Sequence, residues 1–472
     1  MKSIKFGTGG FRGIIGDDFT KENIQRICQA ICNISSQKKL KNEICIGYDN
    51  RFESEDFAKW CAEVFAGNGF KVEYFNNSCT TPVVMFASKE NNNPYGVMIT
   101  ASHNPYMFNG VKVFVKNGKD ASIDETNEIE KEFNKITNIN TCEFNEQINK
   151  SIFIVSYIDK YINYLIKNQK LENSGRGLKV VYDAMFGSSV EELQKYSKGV
   201  GLNNFDIING YRDAFFNFVP PAPNVNNIEK LRESVLLGKA DIGFALDADG
   251  DRLAVVDEKG KFIDNNYLLA MIYYYKVKYL GEKGGIVKNC CTSTLCDTVA
   301  KNLGFKCYEV PVGFKFISSK LIETKSIVGG ESSGGLAVEN HIWGKDSLLT
   351  IGLIIKMLSD LKKPFSEILN EVLVFADNFK KSTYDKAYTY SSLQEMNIKN
   401  KVFENNNYPI INEDVEKIVK TDYLKIFYKN GDWVNIRFSG TEPILRIFVE
   451  AESDEKSLKY FSTWEKFLEL KR

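Results

Sequence analysis

The sequence predicts an α/β protein, with three mixed-sheet α/β/α domains followed by a C-terminal α+β domain. Three observations carry this. At 472 residues the chain is too long for one core, and at about 100–150 residues per domain it divides into three or four. Short apolar runs alternate with helical patterns over most of its length, the signature of sheets covered by helices. After residue 372 the texture changes to closely spaced strand-like runs.

In order, 43–49 (EICIGYD) reads as a buried strand ending in the polar loop Asp49-Asn50-Arg51. Residues 53–66 have helical spacing, 70–75 form a strand, and 95–101 (YGVMITA) run straight into Ser-His-Asn-Pro. A strand at 111–115 and a charged helix at 123–134 close the first unit, 1–150, and 134–150 reads as a linker or variable surface segment. The second unit, 151–260, has strands at 178–182 and 241–246, each ending at an aspartate. Residues 253–256 and 261–263 form a hairpin around Glu258-Lys259-Gly260. The third unit, 261–372, alternates helices (266–278, 294–303, 314–321) with strands (285–288, 307–310). It ends in a glycine-rich loop and a long apolar helix at 347–361. The last unit, 373–472, carries strands at 433–438 and 445–450.

Charge and composition exclude several functions. Lys+Arg and Asp+Glu both total 61, so no global basic field points to nucleic acid or a membrane surface. No apolar core follows the first lysines, so no secretory signal is expected, and no apolar run reaches the about 20 residues of a membrane span. Ten scattered cysteines without a CxxC spacing fit free thiols in a reducing cytoplasm. With only His103 and His341, a histidine metal site is nearly excluded.

Four loops carry chemistry. Thr100-Ala101-Ser102-His103-Asn104-Pro105 follows a buried strand, so Ser102 projects from a strand end; alone, it reads as an ST-turn or a helix cap. His103 beside it can orient the serine, assist proton transfer or make a structural hydrogen bond. In Asp247-Ala248-Asp249-Gly250-Asp251-Arg252 three carboxylates at alternate positions can turn to one point. Their repulsion calls for a cation, and hard oxygen ligands suit Mg²⁺. An EF-hand does not fit, because the flanks are strand-like; an exposed acidic turn is the alternative. Gly329-Gly330-Glu331-Ser332-Ser333-Gly334-Gly335 lets backbone approach a ligand, with Glu331 and Ser333 able to face vicinal sugar hydroxyls; a flexible turn has the same composition. It lacks the lysine of an NTP-binding loop. Arg437-Phe438-Ser439-Gly440-Thr441-Glu442-Pro443, with Arg446 beyond, makes an oxyanion cradle or a polar hairpin.

Taken together and in this order, the loops resemble the α-D-phosphohexomutase superfamily: TASHNP, DxDGDR, GE-x-S and R-x-SGTEP, preceded by Gly7-Thr8-Gly9-Gly10-Phe11-Arg12-Gly13, which resembles its GT-x-G-x-R segment. The resemblance implies four domains around a central cleft, each giving one loop, the last domain mobile. It implies that Ser102 carries a phosphoryl group and that Asp247, Asp249 and Asp251, with a phosphoserine oxygen, hold Mg²⁺. It places Lys112 as general base and Arg12 and Arg252 as supports of the phosphoserine. Glu331 and Ser333 hold the sugar, and Arg437, Ser439, Gly440, Thr441 and Arg446 the non-reacting phosphate. Pro311-Val312-Gly313-Phe314-Lys315 resembles the specificity loop, which brings Gly313 and Lys315 to the sugar. His341-Ile342-Trp343-Gly344-Lys345-Asp346 resembles the HI-x-x-KDG segment of phosphoglucomutases, whose lysine contacts substrate, with Ser347 in place of the glycine.

The implied activity interconverts glucose 1-phosphate and glucose 6-phosphate through a phosphoserine enzyme and glucose 1,6-bisphosphate, which is also the activator, with mannose as a second substrate. Ser332 stands where glucose types often carry Glu, mannose types Met and glucosamine types Gln, and does not decide; with no histidine at 335, where mannose and glucosamine types commonly have one, glucose is favoured on balance. Phosphomannomutase and phosphoglucosamine mutase are the alternatives; a phosphatase and a non-catalytic phosphosugar binder rank below them. On this mechanism Lys112 needs a depressed pKa, expected from nearby positive groups. A monomer or homodimer is expected.

Overall fold

Four separate hydrogen-bonded sheets organise the chain, in a computed structural model that describes residues 4–7, 10–411, 413–439 and 444–470. The first sheet runs Phe11–Ile14, Phe108–Val115, Tyr95–Ile99, Glu43–Tyr48, Lys71–Phe75 and Ile152–Val155, with Lys119–Asp120 on the second of these. Phe108–Val115 runs antiparallel to both its neighbours, whereas Tyr95–Ile99 and Glu43–Tyr48 are parallel and buried on both faces, which is why they read as continuous apolar runs. The last strand pairs in parallel with Lys71–Phe75, so the first sheet draws a strand from beyond residue 150.

The second sheet orders Phe262–Ile263, Leu253–Asp257, Ile242–Leu246, Lys179–Asp183 and Asn204–Ile208. The third orders Cys307–Val310, Ile286–Asn289, Val328–Gly330 and Leu336–Val338. Both combine parallel strands with antiparallel edge strands, and helices cover them. The fourth, Ser382–Thr389, Ile444–Ala451, Trp433–Phe438, Tyr423–Tyr428 and Val415–Lys420, is wholly antiparallel and carries the C-terminal helix Asp454–Leu468. The architecture is therefore three mixed α/β/α domains plus a C-terminal antiparallel-sheet domain, as the alternation of apolar runs predicts. Segment 134–150, expected as a linker or variable surface segment, is docked on the first domain rather than free as a linker: Asn140 N–H donates to Gln29 Oε1 at 2.9 Å and Phe144 packs on Tyr74 at 5.0 Å.

Packing separates the fourth domain from the rest. One apolar core runs through the first three, joining Val83 and Phe86 to Tyr161, Leu165, Tyr196 and Leu349. Helix Ser347–Leu361 is buried nearly all round, capped by Asp346 Oδ1, which accepts from Leu349 N–H at 3.0 Å. The fourth domain has its own core around Trp464, Ile436 and Leu445. It meets the third through polar contacts, Lys425 Nζ lying 2.7 Å from Glu309 Oε2 and Glu450 accepting from Thr294 N–H, and through a small apolar cluster of Cys290 and Cys291 with Tyr423.

Each chemical loop leaves the carboxyl end of a strand: Ile99, Leu246, Gly330 and Phe438 are the last strand residues before them. For the first three, that is where ligands sit in open α/β sheets.

Candidate active site

Buried strand Tyr95–Ile99 delivers Ser102 in the left-handed region, φ 52°, at 1% exposure. A non-glycine residue there costs on the order of 1 kcal/mol and persists only where its surroundings hold it. Two residues outside the predicted set do so. Arg51, wholly buried, donates to the carbonyls of Ser102, Asn104 (2.7 Å), Pro105 (3.0 Å) and Phe108 (3.1 Å). Asp49 accepts from Thr100 Oγ1–H at 2.6 Å, from Ser54 Oγ–H at 2.8 Å and from Arg51 N–H at 3.0 Å. Thr100 Oγ1 accepts in turn from Ser102 N–H at 2.8 Å.

Ser102 Oγ–H donates to Asp247 Oδ2 at 2.7 Å, so the serine and the acidic loop meet although 145 residues separate them. Ligand oxygens of Asp247, Asp249 and Asp251 all lie within 4.8 Å of one another. The loop closes on Asp247 Oδ1, which accepts from the N–H groups of Asp251 and Arg252, both at 3.0 Å. Gly250 is required at the bend: its φ is 65°, and a Cβ would come 2.6 Å from Thr80 Cγ2.

This cluster has the chemistry of a cation site. Asp249 Oδ1 and Asp251 Oδ1 are buried with no hydrogen-bond partner among the described residues. Burial, then repulsion from Asp249 and Asp251, pushes the Asp247 carboxyl well up. Burial alone would raise Asp251 too, but Lys112, Lys345 and Arg252 outweigh it and pull Asp251 down. Orphaned hard oxygens under mutual repulsion are what a divalent ion relieves, so the three aspartates fit a metal.

Lys112 overturns one expectation. Its neighbours are carboxylates, not positive groups: Nζ donates to Asp249 Oδ2 at 2.6 Å and to Asp251 Oδ2 at 2.5 Å. Burial would depress its pKa, yet the two carboxylates outweigh burial and raise it. Asp249 Oδ2 also accepts from Thr81 Oγ1–H at 2.5 Å, at the start of helix Thr81–Glu90.

The positive wall stands beside the serine. Arg252 NH1 donates to His103 Nδ1 at 2.7 Å, and since arginine cannot accept, the imidazole proton sits on Nε2. Burial, then Arg252 and Arg12, holds His103 well below its usual range, hence neutral. Its Nδ1 lies 3.5 Å from Ser102 Oγ. Arg12 NH1 donates to Asn104 Oδ1 at 2.7 Å.

These groups open on one cavity of about 470 Å³, which Glu331, Ser333, Gly313, Lys345, Arg437, Ser439 and Arg446 also line. Glu331 Oε1 accepts from Gly313 N–H at 2.9 Å and from Asn289 Nδ2–H at 3.2 Å, and Oε2 lies 3.7 Å from Lys345 Nζ. Gly335 (φ 89°) makes room for that lysine, since a Cβ would sit 2.4 Å from Lys345 Cδ. Arg437 and Arg446 are directly paired across adjacent strands, and Arg446 NH1 donates to Asp385 Oδ2 at 2.9 Å. Gly440 and Thr441, with Thr8, Gly9, Glu442 and Pro443 of the quoted motifs, lie outside the described residues.

Some predicted residues stand off the cavity wall. Lys315 is half-buried, its Nζ 5.7 Å from the Phe316 ring centre, and does not line the cavity. Asp247 and Asp249 sit behind the wall, where Asp251 alone of the three is a lining residue. His341 is structural: Nε2 pairs with Asp346 Oδ2 at 2.5 Å. Conversely, Asp120 lines the cavity unforeseen, its carboxyl pushed up to about 6 by burial against the pull of Lys112 and Lys345.

The family models for phosphoglucomutase/phosphomannomutase match all four parts: alpha/beta/alpha domain I over residues 3–140, domain II over 159–260, domain III over 264–374 and the C-terminal domain over 393–462. The chain is 29% identical to a phosphoglucomutase/phosphomannomutase of Thermococcus kodakarensis, covering 98% of each chain. It is 30% identical to a phosphoglucosamine mutase of Prochlorococcus marinus, covering 98% of this chain and 96% of that one. A solved Thermus thermophilus protein designated a phosphomannomutase superposes with a TM-score of 0.85 at 26% identity, covering 99% of both. The chain belongs to the α-D-phosphohexomutase superfamily, with its four-domain phosphoglucomutase/phosphomannomutase architecture. It is a phosphohexomutase, an intramolecular phosphotransferase of the isomerase class. Among the described residues no helix is long and apolar enough to cross a membrane.

Proposed function

We propose that this phosphohexomutase interconverts glucose 1-phosphate and glucose 6-phosphate through phospho-Ser102 and glucose 1,6-bisphosphate, with mannose phosphates as second substrates. The observation that carries the Ser102 assignment is the 2.7 Å contact of its hydroxyl with Asp247 at the rim of the arginine-walled cavity. Asp247, Asp249 and Asp251 would hold Mg²⁺, with a phosphoserine oxygen as a further ligand. When bound, the ion supplies charge neutralisation of the phosphoryl oxygens.

The side chains divide the remaining work. Arg437, Ser439, Gly440, Thr441 and Arg446 grip the non-reacting phosphate, and Glu331, Ser333 and Lys345 orient the sugar. The hexose hydroxyl attacks the phosphorus; its new P–O bond forms as the bond to Ser102 Oγ breaks. Arg12 and Arg252 offset charge on the equatorial oxygens, so that catalysis is positioning and electrostatics. Lys112 is the proton acceptor. While Asp249 and Asp251 face it, its ammonium stays charged; the base role requires those carboxylates to be engaged elsewhere. The bisphosphate then turns in the cleft and returns its other phosphoryl group to Ser102.

Relatives bearing phosphoglucomutase/phosphomannomutase and phosphoglucosamine mutase names make the hexosamine reading the alternative. Measuring kcat/KM for glucose, mannose, glucosamine and N-acetylglucosamine phosphates side by side, with bisphosphate added, decides between them. A glucosamine phosphate preference would sink the glucose assignment. Intact mass should show a species heavier by one phosphate, absent in Ser102→Ala together with isomerisation; full activity in that variant would sink the carrier.

A further inference from the structure

Two short segments of the second domain hold a backbone that their side chains disfavour. Met185 and Phe186 lie at φ 45° and 60°, and Phe216, Asn217 and Phe218 lie in succession at 50°, 51° and 60°. None is glycine. Each such residue costs on the order of 1 kcal/mol, and strain of this kind survives where packing dictates it, commonly at functional sites.

Their packing joins the two reacting loops. Phe186 and Phe216 form one buried cluster with Ala248, which stands between Asp247 and Asp249, and Tyr106, the next residue after Pro105, packs against it. Phe216 lies 4.9 Å beneath the Arg51 guanidinium, the group that binds the carbonyls of the Ser102 loop. Tyr106 meets Phe215 and Phe218 edge-on at 5.4 and 5.6 Å. Phe218 is 72% exposed, so burial does not explain an aromatic there. From the other side, Asn50 Nδ2–H donates to the carbonyls of Phe186 (3.1 Å) and Gly187 (2.8 Å), and Ser188 N–H and Oγ–H both donate to Ala248 O at 2.9 Å.

We propose that Phe216, backed by Phe186 and Tyr106, is a positioning wedge that sets the separation between Ser102 and the Asp247–Asp249–Asp251 loop. It touches neither substrate nor ligand oxygen. It acts through Arg51 on one side and Ala248 on the other, across the boundary between the first two domains. The inference rests on the mutase reading for its kinetic readout, and on the acidic loop alone for its binding readout.

The test compares Phe216→Ala with Phe216→Leu in the full chain. A misplacement of about 1 Å in a reacting group lowers turnover by up to about a hundredfold. Phe216→Ala is expected to lower kcat at least tenfold (roughly, on that scale) with KM for the hexose phosphate little changed. The Mg²⁺ concentration for half-activation should rise, and the Mg²⁺-induced increase in thermal midpoint should shrink. Phe216→Leu should recover most of each. The thermal readout needs no turnover, so wild-type protein that responds to Mg²⁺ without isomerising sugar phosphates counts against the mutase reading and leaves the wedge testable. Unchanged kcat and unchanged Mg²⁺ response in Phe216→Ala overturn the wedge. So does an equal loss in both variants that follows only their thermal midpoints. Should Phe216→Ala fail to fold, Tyr106→Ala decides: Tyr106 backs the wedge from a half-buried position, so folding is kept, and an unaltered kcat and Mg²⁺ response would overturn the proposal.

Discussion

Replacing Arg51 by methionine removes the clasp behind Ser102 while keeping most of the side chain's volume. The wild-type guanidinium reaches four loop carbonyls and lies 3.3 Å from Asp49 Oδ2, with both side chains wholly buried. Removing one partner of a buried pair costs about 3–5 kcal/mol, mainly because the other charge is stranded. The lost carbonyl bonds come on top of this but do not add in full. Asp49 limits the loss: burial already raises its pKa and Arg51 is the chief force lowering it, so removing Arg51 pushes it further up and eases its protonation in the buried site. The expected destabilisation is therefore about 4 kcal/mol, read as a fall in the thermal midpoint of the transition that includes the first domain. Turnover should fall about a hundredfold as Ser102 leaves its left-handed backbone. Adding Asp49→Asn to Arg51→Met should restore part of the stability, because no charge is then stranded. Were the second substitution to deepen the loss, or Arg51→Met to keep wild-type turnover, the clasp would not be what holds the serine.

Lys112→Met should lose turnover by about two orders of magnitude, yet bind Mg²⁺ at least as tightly, because a cation competing for Asp249 and Asp251 is gone; isothermal titration measures this, and abolished binding would contradict it. Glu192, buried at the join of the first two domains, accepts from Thr80 N–H at 2.9 Å and has its pKa raised to about 7 by burial. Because the folded pKa is raised, its stabilising contribution is complete below about 4.5 and is lost as pH rises through about 7. Glu192→Gln should therefore flatten the decline in unfolding free energy between pH 5 and 8 by about 2–3 kcal/mol, and an unchanged slope would refute the assignment. Gly335→Ala should raise KM several-fold by pushing Lys345 off Glu331, with Ser102 phosphorylation, followed by intact mass, unaffected. Chelation should abolish isomerisation and lower the thermal midpoint, and Mg²⁺ should restore both; activity persisting in chelator would dismiss the metal.

The strand-ending loops are legible because each pairs an apolar strand with residue types that have few other uses. Three alternating aspartates before a hairpin, or serine between strand and proline, survive as local patterns. What joins them is not local. Asp49 and Arg51 stand in view as a polar loop, but that Arg51 turns back onto carbonyls about fifty residues downstream follows from sheet order, which periodicity does not encode. Lys112 reads correctly as a strand residue and wrongly in its electrostatics, because its partners come from another domain. Asp120 has the local pattern of a residue leading into a helix cap. Segment 134–150 has a linker's composition, and what ties it down is scattered through it: Ile136 in the first domain's core, Asn140 on Gln29, Cys142 on Glu63 and Phe144 on Tyr74.

The division of apolar cores bears on how the bisphosphate proposed above would turn over without escaping. One apolar core reaches into all of the first three domains, whereas the fourth has its own and rests on the third through contacts such as Lys425–Glu309 and Glu450–Thr294 and the small Cys290–Cys291–Tyr423 cluster. Water can replace the polar contacts at small free-energy difference, which is not so for buried hydrocarbon. An opening of the lobe carrying Arg437 and Arg446 would therefore leave that lobe's own core intact and would expose the small Cys290–Cys291–Tyr423 cluster.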